Sequence, residues 1–293
     1  MSGGKAERAR GTRAGAHYAP AKGSSAKING APAPRNVRAL AHRFLLRCES
    51  EGQYVNIALD RALREAGLDG RDRDFFTALV YGVTERRITL DYYISLLSSK
   101  PLAKLDPTVA VALRMGLYQI IYMKSVPDSA ACNESVKLVR RGASSAAPFV
   151  NAVLRSFIRR RGEPVLPDRG TDPCGYLSVC YSVPRELAAL WREQYGEEQT
   201  ERILRGMDEP PTPTLRANLI RIDRDGLLER LARDGITAEP SPYSPHSVRL
   251  PSPCSLAAIP AFREGLCTVQ DDASGMAVEA LAPQRGDTVI DMC

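Results

Sequence analysis

Seven cysteines, three histidines and a set of clustered arginines are the residues of this chain whose types invite chemistry. The cysteines are Cys48, Cys132, Cys174, Cys180, Cys254, Cys267 and Cys293. A structural zinc site needs thiolate or imidazole ligands, usually in closely spaced pairs. Here no Cys-x-x-Cys pair exists, Cys174 and Cys180 have five residues between them, and His17, His42 and His246 are scattered. No metal site is expected, and an odd cysteine count without a secretory leader reads as reduced thiols, mostly small core residues. Arginine's planar fork suits phosphate through bidentate hydrogen bonds. The candidates are Arg35, Arg38, Arg43, Arg86, Arg87, Arg140, Arg141, Arg155 and the run Arg159-Arg160-Arg161. Arg140-Arg141 and the final triplet fall at helix C-termini, where a cation also stabilises the dipole, so a structural role competes there. Tyr81, Tyr92, Tyr93, Tyr118 and Tyr122 recur at helical spacing and read as core rather than as platforms for bases.

These side chains sit in 293 residues that are 44% hydrophobic and 25% charged, an ordinary globular balance. The length allows two domains and part of a third. No run of about 18 apolar residues occurs, so no membrane partner is expected. The first residues lack the apolar stretch of a secretory signal, and the composition excludes collagen, coiled coil and a wholly disordered chain. The net charge of +6 is unevenly placed. Residues 1–35 hold seven basic groups and one acid, residues 36–161 hold 20 and 12, and residues 162–293 hold 13 and 21. A basic first half points to a polyanion partner, with a merely solvated surface as the alternative.

The elements follow from periodicity and punctuation. Residues 1–35 have almost no large apolar side chains and are expected as a disordered basic tail. Residues 36–161 read as an all-α bundle. Asn36 caps a first helix with Val37, Leu40, Ala41, Phe44, Leu45 and Cys48 on one face, and Asp106-Pro107 opens another through Leu113, Leu117 and Ile121. Residues 162–175, rich in Pro, Gly and Asp, read as a linker. Within a 162–265 linker and middle region, helices at 183–206 and 224–234 and strand-like runs at 214–218 and 247–250, with a further run at 266–269 just after it, give a small α+β domain, and residues 266–293 are expected as the truncated start of a third domain. A helix over 274–281 and a strand over 288–291 then read as the start of a Rossmann-type unit. Asp271 and Asp272 are candidates for a cofactor-adjacent place or, more simply, for a helix cap.

Several stretches are similar to one family. Asp74–Arg87, Leu113–Tyr122 and Phe149–Arg155 resemble the NusB-type RNA-binding domain of bacterial ribosomal RNA cytosine-C5 methyltransferases of the RsmB (Fmu, Sun) type. Pro210-Pro211 with Leu215–Asn218 resembles the middle domain of that family, and Val269–Ser274 its lead into the catalytic domain. The resemblance implies an S-adenosylmethionine-dependent methyltransferase of small-subunit ribosomal RNA, cytoplasmic and monomeric, without a metal. In that chemistry a cysteine thiolate adds to C6 of an unstacked cytosine and C5 takes the methyl group. None of the seven cysteines matches the nucleophile. Asp291-Met292-Cys293 matches the strand that runs into the family's glycine loop, so Cys293 stands at the start of the cofactor-binding segment or is a buried strand-end thiol. The loop and the catalytic cysteines are not in the sequence, so these 293 residues are expected to be a fragment that binds no S-adenosylmethionine and is inactive. Residues 276–293 are expected to be poorly ordered or to expose an apolar edge. The alternatives are a stand-alone antitermination-type RNA binder without catalysis and a protein-interaction module. The basic charge of residues 36–161 speaks against the second, and the continuation past residue 160 against the first.

Overall fold

The computed structural model describes residues 36–292, apart from 69, 141–142, 161–165, 210–211 and 252–255. The expected tail at 1–35 lies outside them. Local rules set the helix ends. The Asn36 side chain accepts from the Ala39 N–H at 3.0 Å and opens α1 (Val37–Glu51), which Gly52 closes at φ 63°, a left-handed conformation that costs glycine little. Then come α2 (Val55–Ala66), α3 (Gly70–Glu85) and α4 (Arg87–Leu97). The Asp106 carboxylate accepts from the Thr108 N–H at 2.8 Å and Pro107 takes the first position of α5 (Pro107–Tyr122). α6 (Asp128–Arg140) and α7 (Ala147–Arg159) follow.

α5 is apolar on every side, and Val109, Leu113, Met115, Leu117 and Ile120 are all buried. Such a helix belongs inside others, and α5 packs against α1, α3, α4, α6 and α7. Two glycines permit the approach: a Cβ on Gly82 would fall 1.9 Å from the Tyr118 ring, and one on Gly116 2.7 Å from Leu154. The single charged residue of α5, Arg114, keeps a side chain only 5% exposed. It grips Asp91 of α4 through two bonds, at 2.5 and 3.0 Å, and Glu49 of α1 at 2.7 Å. Burial works against its charge, but these bonds outweigh burial and raise its pKa.

The expected linker over 162–175 is a linker only in part. Asp172 accepts from the Gly175 N–H at 2.9 Å and, with Pro173 at the first position, starts α8 (Pro173–Tyr181) inside it. Composition marks the loop but hides the cap. α8 is tied to α4: the Thr89 hydroxyl donates to the Val179 carbonyl at 2.7 Å, and the Ser182 hydroxyl accepts from the Ile88 N–H at 3.1 Å. α9 (Arg185–Asp208) is two helical pieces joined across Gly196, whose φ is 75°. The chain divides into two compact units between Glu209 and Pro210. By contact, α8 and α9 group with the helices.

The second unit contains β1 (Thr214–Ala217), α10 (Arg224–Arg233), β2 (Glu239–Pro240), β3 (Ser247–Arg249), α11 (Pro260–Arg263), β4 (Cys267–Val269) and α12 (Asp272–Leu281). Its strand order is β2-β3-β1-β4 with every neighbouring pair antiparallel. A βαββαβ chain in that order is the ferredoxin-like split βαβ arrangement. Leu215 pairs with Val248 and Val269, and Ala217 with Cys267. Leu215, Ala217, Val248 and Cys267 form one face, which packs with Leu227 and Leu231 of α10. The expected strands at 214–218, 247–250 and 266–269 are β1, β3 and β4, and the short β2 adds an edge that sequence reading passes over. The expected strand at 288–291 does not join the four-stranded sheet, and Val289 and Ile290 are 53% and 77% exposed. A strand is defined by its ladder, and it shares none with that sheet.

Candidate nucleic-acid interface

The arginine candidates separate into two groups once neighbours are known. Arg38 is spent inside the fold. Its Nε donates to Gln119 Oε1 at 2.6 Å and its guanidinium lies 4.7 Å over the Phe75 ring. Burial lowers its pKa, and Glu134 only partly offsets this. Arg86 is likewise engaged, 2.6 Å from Asp208 at the end of α9 and 5.5 Å over the Tyr122 ring. Burial opposes its charge, but the Asp208 bond and its acidic neighbours carry the pKa upward. The same burial pushes the Tyr122 phenol up to about 12. As phosphate contacts these two are corrected: each guanidinium that packs the fold is withdrawn from solvent.

Arg43, Arg87, Arg140, Arg155, Arg159 and Arg160 are exposed. Arg87 lies 3.8 Å from Asp91, a carboxylate already held by Arg114, and Arg155 donates to Asn151 at 2.9 Å. Among the described residues Arg43, Arg140, Arg159 and Arg160 enter no ion pair. Arg140 ends α6 and Arg159 ends α7. A short connection makes these helices a hairpin, so the two positions lie at opposite ends of rods about 20 Å long. They form two basic poles rather than one patch. Arg35, Arg141, Arg161 and Cys293 lie outside the described residues. Sequence reading passes over the exposed Arg71 and Arg73 because they alternate with Asp72 and Asp74 at the start of α3. Tyr81, Tyr93, Tyr118 and Tyr122 pack on the core, and Tyr92 meets Tyr93 edge-on at 5.8 Å, as their spacing suggests.

Four of the thiols are quiet, while Cys174 accepts from the Arg192 guanidinium at 3.3 Å. Burial raises the pKa of Cys48, Cys132, Cys180 and Cys267, which keeps them protonated and poorly nucleophilic. Among the described residues no three His, Cys, Asp or Glu side chains gather as a metal site, and no helix is long and apolar enough to cross a membrane. Asp271 stands at the N-cap of α12 without a side-chain cap bond. Asp272 is buried, accepting from the Ser241 hydroxyl at 2.7 Å and from Arg249 at 2.9 and 3.1 Å. It is neither cap nor free cofactor ligand. It pins α12 to the edge of β3. Residues 283–292 are exposed.

Residues 35–159 match the NusB family, and residues 183–257 match the ferredoxin-like domain of the RsmF/B-like methyltransferases. A protein of Bacillus subtilis (strain 168), "Probable ribosomal RNA small subunit methyltransferase B", is 36% identical over 259 residues, 88% of this chain and 57% of the relative. A protein of the same name from Synechocystis is 32% identical over 262 residues, 88% of this chain and 58% of the relative. The chain thus spans a little over half the length of these curated relatives. The crystal structure of PH0851 shares the fold, with a TM-score of 0.60 at 17% identity, over 87% of this chain and 57% of that one.

Proposed function

Because this chain joins a NusB-family domain to an RsmF/B-like ferredoxin-like domain, and is homologous over 88% of its length to ribosomal RNA small subunit methyltransferases B, we propose that it is the RNA-engaging front of such an enzyme. The finer reading is an S-adenosylmethionine-dependent transfer of a methyl group to C5 of a cytosine in small-subunit ribosomal RNA, by a cytoplasmic, monomeric protein. The observation that carries the RNA-engaging role is the set of exposed arginines without an acidic partner among the described residues, Arg43, Arg140, Arg159 and Arg160, on the NusB-family domain. Cations without acidic partners at a surface are what phosphate contacts require, and each contact releases counterions. Burial disfavours the thiolates of Cys48, Cys132, Cys180 and Cys267, which supports placing the covalent chemistry elsewhere than on these four. The second domain favours this reading over a stand-alone antitermination factor, which needs only the NusB fold.

Binding of a single-stranded segment of small-subunit ribosomal RNA, measured against salt, tests the proposal. The expected result is an affinity whose logarithm falls linearly with log salt, at about 0.7 per phosphate contact. The same polypeptide, given S-adenosylmethionine carrying a labelled methyl group, is expected to leave the RNA unlabelled. A flat salt response would remove the electrostatic role, and label in the RNA would return catalysis to these 293 residues.

A further inference from the structure

A cleft of about 360 Å³ opens in the helical unit between α1, α2 and α3. This falls within the roughly 300–1,000 Å³ of small-ligand sites. One face of α1 supplies Leu40, Arg43, Phe44 and Arg47, spaced as i, i+3, i+4 and i+7, and α3 supplies Phe76. Ala62 and Ala66 of α2 keep the opposite wall low. Phe44 and Phe76 are buried and make the base of the cleft, their rings 5.8 Å apart and edge-on. Arg43 is exposed. The Arg47 Nε–H is buried with no acceptor among the described residues. Glu65, the acid of the lining, lies 3.7 Å from Arg61 of the next turn back.

A buried guanidinium N–H without an acceptor costs about 1–3 kcal/mol. It is left so where an anion from outside can supply the acceptor after a small side-chain movement. The rest of the lining is apolar and low-walled. The ligand this describes has a flat, weakly polar body and a separate anionic group. A single nucleotide has both parts, and an acidic peptide side chain has only the second. A base can enter only when unstacked and unpaired.

We propose that this cleft seats one unstacked nucleotide of the bound RNA, its base over Leu40 and Phe44 and beside the Arg43 guanidinium, its phosphate on Arg43 and Arg47. The assignment rests on the RNA-engaging role proposed above and gives it a preference, single strand over duplex.

The whole 293-residue chain is titrated with a fluorescent single-stranded RNA of about 12 nucleotides and with its duplex. The single strand is expected to bind more tightly. Ala66→Trp fills the cleft without changing charge. It should weaken single-strand binding about tenfold, through lost base contact, while sparing the duplex and the salt slope. Arg43→Ala, at an exposed position safe for folding, should weaken binding and lower the salt slope by about 0.7. Lys100→Ala serves as the control. If the wild-type chain binds no RNA, the RNA-engaging role falls and the cleft assignment with it. If it binds, and both Arg43→Ala and a folded Ala66→Trp keep wild-type affinity, the cleft assignment alone is overturned. Should Ala66→Trp fail to fold by circular dichroism, Ala62→Leu takes its place. An oligoglutamate peptide whose binding is lost in the filled variant, with RNA binding intact, would assign the cleft to a protein and likewise overturn it.

Discussion

The two compact units differ in where their engaged arginines lie, although each also has exposed arginines that enter no ion pair among the described residues, Arg233, Arg263 and Arg285 in the sheet unit. In the sheet unit, Arg230 holds Glu264 at 2.5 and 2.8 Å and Asp234 at 3.3 Å, Arg249 holds Asp272, and Arg224 lies 3.1 Å from Asp225. In the helical unit, Arg114 is buried and Arg38 and Arg86 half-buried in the packing, while Arg43, Arg140, Arg159 and Arg160 are exposed and have no acidic partner among the described residues. The helical unit, residues 1–209, holds 32 basic and 23 acidic groups, and the sheet unit 8 and 11. Ten of the 21 acids of residues 162–293 therefore belong with the helical unit, on α9 and in the segments flanking α8 and α9. Net charge by sequence segment is a poor guide to an anion-binding surface. What qualifies an arginine is the absence of a fixed partner.

That contrast can be broken or sharpened at three points. The largest effect is expected at Arg114. Arg114→Ala leaves the Asp91 and Glu49 carboxylates facing each other across a half-buried space. Loss of one partner from a buried pair costs about 3–5 kcal/mol, so the helical unit should unfold at markedly lower denaturant while the sheet unit keeps its midpoint. Coincident shifts in both would show that the units do not unfold separately. Next comes RNA affinity. The double substitution Arg159→Ala with Arg160→Ala should weaken binding about tenfold at low salt and lower the salt slope by about 1.4, at about 0.7 per contact. Arg230→Ala, which removes a paired cation, should change neither. Equal losses from the two would erase the distinction between partnered and unpartnered arginines. The smallest effect is expected at His42. Its Nε2–H donates to the Thr108 carbonyl at 2.9 Å, and burial holds the imidazole pKa below its usual value. The unfolded chain then binds the proton more readily, so the stability of the helical unit is whole above about pH 6.5, falls as pH drops through the depressed value, and levels off below it. His42→Gln should flatten that limb of a pH series of denaturant melts.

Much of the architecture could be read from residue order because it is written locally. Asn36 and Asp106 cap through bonds two or three residues away, and β1, β3 and β4 announce themselves as short apolar runs between prolines. The sites were harder. Arg38 and Gln119 are 81 residues apart, Arg86 and Asp208 more than a hundred, and nothing in local spacing says that such a pair will meet. One signal was available: Arg38 lies three and four residues before Ala41 and His42, on the buried stripe of α1, and Arg114 interrupts an otherwise apolar helix. A charged residue on such a stripe is a candidate for internal pairing before it is one for a ligand. Asp272 escaped for the converse reason. Its position after a strand suggested a cap, but its partners, Ser241 and Arg249, come from an earlier part of the sheet.

The all-apolar character of α5 also sets a timetable for synthesis. Its neighbours are drawn from both sides in sequence, α1, α3 and α4 before it and α6 and α7 after it. As the chain leaves the ribosome, the first three can shelter only part of the helix, and the remainder stays uncovered until Arg159 has emerged. Domains assemble as units during translation, and uncovered apolar surface in that interval is what chaperones bind. The helical unit thus has no productive halfway point: a nascent chain stalled between Tyr122 and Arg159 should be held by a chaperone, and one stalled well beyond it released.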